Sequence, residues 1–393
     1  MHVEWPEVLA EATEVRHALH RRPELAWAET ETAGAVRAAL AALDIPFREC
    51  ARTGTVAYLA SSAPGRHIAL RADLDAMPIV ESTEVGYTSE VAGVMHACGH
   101  DGHTATLLAV ARWLKSHERQ LPGPVTLLFQ PAEEGGHGAR EMIEDGCFAG
   151  TSDSGPVAEV FGWHNWPGLA VGHAICPDGA VMSANGTFRV RLRGAGGHAS
   201  QPEATRDPVL AAAAVTVGLQ QVVSRRLAPH TAAVVAVTSL RAESAATVTP
   251  DDAELAGSVR VAQTADRDHV FDLITRVAEG IASAHEVSAT VEASPRYDAT
   301  VNHAGPAAEL REALASVLGD EWAGHDVGVP VMASEDFSYY LRALPGAFAL
   351  IGAGATASPL HSGNYDFNDD LIDPAARVLI RLAGGPDPHV DSR

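Results

Sequence analysis

The stretch Met95-His96-Ala97-Cys98-Gly99-His100-Asp101-Gly102-His103 places one thiol and three imidazoles close together along the chain. Further on, Gln130-Pro131-Ala132-Glu133-Glu134-Gly135-Gly136 adds an acidic pair. Thiolate, imidazole and carboxylate together make a ligand set for transition metals. Cys98 and His100 are one residue apart, so on an extended or irregular backbone their side chains can converge, and Gly99 and Gly102 supply the permissive dihedrals of a tight turn. Neighbouring carboxylates point in different directions on most backbones. One of Glu133 and Glu134 can therefore bind a cation while the other acts as base toward a water that the cation activates. Two further histidines stand where such a site could use them. His164 lies in Trp163-His164-Asn165-Trp166-Pro167-Gly168, at the expected end of a strand, and His361 in the loop Pro359-Leu360-His361-Ser362-Gly363-Asn364. Isolated histidines such as His173 and His230 are expected to be structural. The chemistry open to these residues is metal-dependent hydrolysis.

The elements that must position them follow from periodicity. Val8, Ala12, Val15 and Leu19 recur at helical spacing before Pro23, and Val36, Leu40 and Leu43 mark a second helix ending at Asp44-Ile45-Pro46. Short apolar strands are expected over Thr55 to Leu59, His67 to Leu70, Val125 to Phe129 and Val157 to Phe161, with a helix from Thr104 to Trp113 among them. This alternation predicts an α/β fold with a mostly parallel sheet flanked by helices, in which sites form at strand ends. Between about Ser183 and Pro295 the order becomes βαββαβ: strand at Phe188 to Leu192, helix at Pro208 to Val223, strands at Ala232 to Leu240 and Ala253 to Val261, helix at Val270 to Ala284 and strand at Val287 to Val291. That order matches a ferredoxin-like α+β insertion, 183–295, between two halves of a larger domain, 1–182 and 296–393. Helices at Ala307 to Leu318, Phe337 to Leu344 and Asp370 to Leu382, and a strand at Ala347 to Ile351, resume the alternation.

Bulk properties set limits. The 393 residues exceed what one core holds, and 46% hydrophobic with 20% charged residues is ordinary for a folded globular protein. With 28 basic against 50 acidic residues the formal charge is -22, which argues against nucleic-acid and anionic-membrane partners. Four scattered cysteines fit a reducing compartment, and no apolar run approaches the roughly 20 residues that a membrane-spanning helix needs. The N-terminal stretch carries no basic-then-apolar export pattern, so a cytoplasmic location is expected.

Several blocks occur in an order that resembles one family. They are Arg71-Ala72-Asp73-Leu74-Asp75-Ala76-Met77-Pro78, the Cys98 stretch, the Glu133 stretch, Trp163-His164-Asn165-Trp166-Pro167, Gly196-Gly197-His198-Ala199-Ser200 and Ser334-Glu335-Asp336-Phe337. The likeness, running from His20-Arg21-Arg22-Pro23-Glu24 to Tyr365-Asp366-Phe367-Asn368-Asp369, is to the hippurate hydrolase, N-acyl-amino-acid amidohydrolase (aminoacylase) and auxin-conjugate amidohydrolase group of the dinuclear metallopeptidases. The resemblance implies two divalent metal ions per subunit, zinc or manganese first, with cobalt or nickel also compatible. It implies that Cys98 bridges them, Glu134 and His361 completing one site and His100 and His164 the other, with Glu133 as general base. It further implies that Asp101 holds a metal-bound imidazole in its tautomer, with Asp73 or Asp75 in a similar part. In the inserted lid and dimerisation domain, His198 would donate to the oxyanion, commonly across a dimer interface, while Arg260 and Asn302 would bind the substrate. Thr247-Val248-Thr249-Pro250 stands where many relatives carry Asn-Val-Ile-Pro, and His137 interrupts the glycine-rich stretch, which leaves the acyl group open. The expected protein is an amidohydrolase of small N-acyl amino acids or related conjugates, assembled as a homodimer or higher homo-oligomer. A dipeptidase or carboxypeptidase of the same architecture is the enzymatic alternative, and a non-catalytic metal-binding protein the other.

Overall fold

A computed structural model describes residues 4–325 and 327–389. They form two compact units, one holding the chain up to Val181, Val301–Val329 and the chain from Asp336, the other Met182–Thr300 and Pro330–Glu335. The insertion read from sequence as 183–295 thus carries a later segment as well. Ser183 binds that segment, its N–H donating to Val331 O at 3.0 Å and Ala333 O at 2.9 Å.

Along the chain the elements are α1 (Trp5–Arg21), α2 (Thr30–Ala42), β1 (Phe47–Cys50), β2 (Gly54–Leu59), β3 (Ile68–Asp73), α3 (His100–Ser116), β4 (Val125–Gln130), α4 (Gly138–Glu144), β5 (Glu159–Pro167), β6 (Ala174–Ile175) and β7 (Gly179–Met182). Next come β8 (Ala184–Arg193), β9 (Gly197–His198), α5 (Pro208–Gly218), β10 (Ala233–Arg241), β11 (Val248–Thr249), β12 (Asp252–Val261), α6 (Thr264–Ala284) and β13 (Ser288–Pro295). The chain closes with β14 (Thr300–Asn302), α7 (Ala304–Leu318), α8 (Ser338–Ala343), β15 (Gly346–Gly354) and α9 (Ile372–Leu382).

The first unit is built on a sheet of order β1-β2-β4-β3-β5-β15-β6. Its centre is parallel, β4 with β3, β3 with β5 and β5 with β15, while β1, β2 and β6 pair antiparallel at the edges. Every residue of β3 and β4 is buried, as expected of a parallel sheet covered on both faces. Leu70, Phe129, Leu107 and Ile380 belong to one core, in which α1, α3 and α9 pack together. The second unit has the sheet order β10-β12-β8-β13, all antiparallel, the split βαββαβ arrangement. Phe188, Val190 and Leu192 of β8 are buried and alternate with exposed Arg189, Arg191 and Arg193, so one sheet face meets α5 and α6 and the other is solvated.

Three differences from the sequence reading bear on function. β5 continues to Pro167, so His164 lies inside the strand, opposite Leu350 of β15, rather than at its end. α3 starts at His100, not Thr104. The Gly-Gly-His-Ala-Ser segment, to which the sequence reading gave no element, carries β9, in which His198 pairs with Val248 of β11. Among the described residues no helix is long and apolar enough to cross a membrane.

Candidate metal centre

Gly99, at φ 88°, turns the chain into α3 and makes His100 its first residue. A Cβ at Gly99 would lie 2.5 Å from Asn165 Nδ2 and 2.6 Å from the Tyr365 hydroxyl, so conformation and space both demand glycine. Gly102 is required for space instead: it is helical, and the Phe367 ring lies 2.5 Å from where its Cβ would sit. β5 presents His164, the turn after β4 presents Glu133 and Glu134, and the loop after β15 presents His361. That last loop is tied to the Cys98 loop by the His361 N–H, which donates to Ala97 O at 2.8 Å.

These elements meet at one thiol. Cys98 Sγ lies 3.4 Å from His164 Nε2 and 3.4 Å from His361 Nε2. Glu134 Oε1 is 3.3 Å from His361 Nε2. Two donor triads result, Cys98 with His100 and His164, and Cys98 with Glu134 and His361, and within each the ligand atoms lie within 4.8 Å of one another. Glu133 and Glu134 form a third such group with His100.

Hydrogen bonds aim the donors. His100 Nδ1 donates to Asp75 O at 2.8 Å and His164 Nδ1 to Asn165 O at 2.7 Å, which turns both Nε2 atoms to the cluster. The Asp75 carboxylate accepts from the N–H of Glu133 and from that of Glu134, each at 2.9 Å. Asp336 N–H donates to Glu133 Oε1 at 3.3 Å.

The electrostatics call for positive charge. Burial pushes the Cys98 thiol well above its ordinary range, and the Glu134 and Glu133 carboxylates push it further. Burial lowers the His100 imidazole, but Asp73, Asp75 and Glu134 outweigh it and raise the group to about 10. Burial together with His103 holds His164 well below its usual value. His100 Nε2 and Glu134 Oε1 are buried and make no well-aligned hydrogen bond among the described residues, with only the ion-pair contacts to Asp73 at 3.5 Å and to His361 Nε2 at 3.3 Å beside them, an incomplete satisfaction that a bound cation would complete. Thiolate, imidazole and carboxylate around these atoms are a donor set that fits divalent metal.

Other expected residues fall elsewhere. Asp101 does not hold a cluster imidazole: its carboxylate pairs with His20 Nδ1 at 2.7 Å and with Arg16 Nε at 3.2 Å, because it opens α3 on the side facing α1. Asp73 accepts from His103 Nδ1 at 2.7 Å and from Arg71 Nη1 at 2.7 Å, and lies 3.5 Å from His100 Nε2. Asn302, read as a substrate-binding residue, has its amide engaged with backbone. Its Nδ2 donates to Phe348 O and Pro177 O, both at 3.0 Å, and its Oδ1 accepts from Phe348 N–H at 2.7 Å, so the amide bridges backbone. In the second unit, exposed His198 accepts at Nδ1 from Ser200 N–H at 3.1 Å. Half-buried Arg260 donates to Ser334 Oγ at 2.8 Å, and burial and the neighbouring Arg296 guanidinium lower its proton affinity.

The sequence profile of peptidase family M20/M25/M40 matches residues 69–384. The chain belongs to that family. Among M20 relatives, the hippurate hydrolase of Campylobacter jejuni is 36% identical over 96% of this chain and 98% of its own length. The N-acetylcysteine deacetylase of Bacillus subtilis is 35% identical over 94% of this chain and 95% of its own. A solved M20 structure, the Bacillus subtilis YXEP protein described as a dinuclear metal binding peptidase, superposes with a TM-score of 0.81 at 32% identity, covering 96% of this chain and 98% of that one.

Sequence reasoning passed over several supports of the centre. Asn165 donates to Cys98 O at 2.8 Å and accepts from the Tyr365 hydroxyl at 2.5 Å, fixing the thiol's backbone. Its signal was adjacency to His164. His103, one of the three imidazoles of the Cys98 stretch but given no role from sequence, is held by Asp73 and offers Nε2 to Asn165 N–H at 3.2 Å.

Proposed function

We propose that this chain is a metal-dependent amidohydrolase that cleaves the amide bond of N-acyl amino acids or related small conjugates. The observation that carries the reading is one thiol shared by two donor triads with Glu133 beside them. Cys98, Glu134 and His361 would hold one divalent ion, and Cys98, His100 and His164 the second, zinc and manganese being the best matches to the set. Two bound cations supply positive charge that lowers the proton affinity of water and polarises an amide carbonyl.

Glu133 is the general base. Its carboxylate takes a proton as the water oxygen bonds to the carbonyl carbon, and returns it to the nitrogen as the C–N bond breaks, because an amide anion is a poor leaving group. The grip of Asp75 on its N–H and of Asp336 on Oε1 keeps it in place for both transfers. With Nδ1 accepting from Ser200 N–H, a neutral His198 carries its proton on Nε2 and can donate to the developing oxyanion. Arg260, with Arg296 nearby, suits the carboxylate of the amino-acid half. Self-association through the second unit is supported by the exposed Val209, Leu210 and Val217 of α5. A reducing, cytoplasmic setting suits four free, buried cysteines.

The test is a panel: the metal-reconstituted protein against acetyl, benzoyl and longer acyl derivatives of many amino acids, with dipeptides alongside. Higher kcat/KM on N-acyl amino acids supports the reading. Preference for dipeptides would replace it with a dipeptidase, and no turnover on either would overturn it.

A further inference from the structure

The turn that carries the acidic pair is gripped by two carboxylates, and only one of them, Asp75, touches the cluster. Ala132 N–H, the amide just before those held by Asp75, donates to Glu29 Oε1 at 2.8 Å. The same oxygen accepts from Trp27 N–H at 3.0 Å, and Oε2 accepts from the Thr53 hydroxyl at 2.7 Å. Glu29 is 0% exposed, so no water competes for these bonds. Ala132 and Trp27 both have left-handed backbone, with φ of 53° and 67°, a conformation that side chains disfavour. One carboxylate oxygen therefore holds two strained amides at once.

The position of Ala132 gives this contact its consequence. β4 ends at Gln130, and Pro131 has no N–H to anchor. Ala132 is thus the first residue after the strand whose amide can be fixed, and its dihedrals set the direction in which Glu133 and Glu134 leave the sheet. Its carbonyl closes the far side of the turn by accepting from Gly138 N–H at 3.1 Å.

We infer that Glu29 is a positioning residue for the proposed base and ligand: by holding Ala132 left-handed, it sets where the Glu133 and Glu134 carboxylates arrive. This rests on the roles proposed for that pair. Released from Glu29, Ala132 relaxes to negative φ and swings Glu133 away from the reacting carbonyl.

The experiment compares Glu29→Asp, which keeps the charge but withdraws it by one methylene, with Glu29→Gln, which keeps length and an acceptor oxygen. In metal-reconstituted enzyme Glu29→Asp should lower kcat by about 10- to 100-fold, the cost of a misplacement near 1 Å, with KM nearly unchanged, and Glu29→Gln by less than about threefold. Ala132→Gly in the Glu29→Asp background should recover part of the loss, because glycine adopts positive φ freely. A readout independent of turnover is hydrogen exchange of the metal-free protein. Amides 132–134 should lose protection in Glu29→Asp and keep it in Glu29→Gln, with α3 unchanged in both. Unaltered kcat and exchange in Glu29→Asp, equal losses in both variants, or exchange rising throughout α3 as well would each overturn the inference. If the parent enzyme hydrolyses no N-acyl amino acid, the proposed reaction fails, while the exchange data still decide whether Glu29 holds the turn.

Discussion

Replacing Glu133 by Gln isolates the proton-transfer role from every other one. Glu133 is 6% exposed, its N–H is bound by Asp75 and its Oε1 accepts from Asp336 N–H at 3.3 Å. A glutamine side chain has the same length and keeps that acceptor oxygen, so the turn and the neighbouring donors stay where they are. Only the capacity to take and return a proton is lost. A positioned general base contributes about 10²- to 10⁴-fold to rate. Because this carboxylate would serve in both attack and departure, the loss belongs at the upper end, about 5 kcal/mol of barrier at 1.36 kcal/mol per tenfold. Removing a carboxylate beside Cys98 and Glu134 also relieves repulsion, so the metal-free variant should melt no lower than the parent. The assay is release of free amino acid from an N-acyl substrate, with metal content measured on the same sample. A kcat within tenfold of the parent at full metal content would refute the assignment of Glu133 as base.

Other residues make separable predictions. Asp101→Asn breaks a buried carboxylate from Arg16 and His20, which should cost about 3–5 kcal/mol and lower Tm by on the order of 10 °C. Burial raises the Asp101 carboxyl, but Arg16, His20 and His96 hold it far below its usual range. Its contribution is therefore complete above the unfolded value of about 4, so the Tm gap between parent and variant should shrink as pH falls below that point, and a gap independent of pH would contradict the pairing. His198→Ala removes the proposed oxyanion donor and should cut kcat by about 100-fold, as loss of one such donor does elsewhere, with metal content intact; a loss in KM alone would assign it to binding instead.

What could be read from the chain alone was what local pattern controls. The largely apolar run Val125 to Phe129 became β4, and the cluster cysteine and histidines stood out because their residue types are rare and chemically loaded. Partners set by tertiary packing were not legible. Asp101 directly follows the cluster histidine His100 in sequence, yet helical geometry turns it toward α1, where Arg16 and His20 wait. Asn302 looks like a loop amide, and only the approach of β15 and Pro177 shows that its hydrogen bonds are already made. His164 was expected at a strand end because the apolar run Val157 to Phe161 stops before it, but pairing with β15 carries the strand on to Pro167. Glu29, within Ala28-Glu29-Thr30, is indistinguishable from a solvated helix start until its burial is known.

The central claim is that Cys98 joins two cation sites, and counting metal tests it most directly. Elemental analysis of the reconstituted protein and of Cys98→Ala, after removal of loosely bound ions, should find two divalent ions per chain in the parent and fewer than one in the variant. Two ions retained by Cys98→Ala, or no more than one bound by the parent, would contradict the shared-thiol centre.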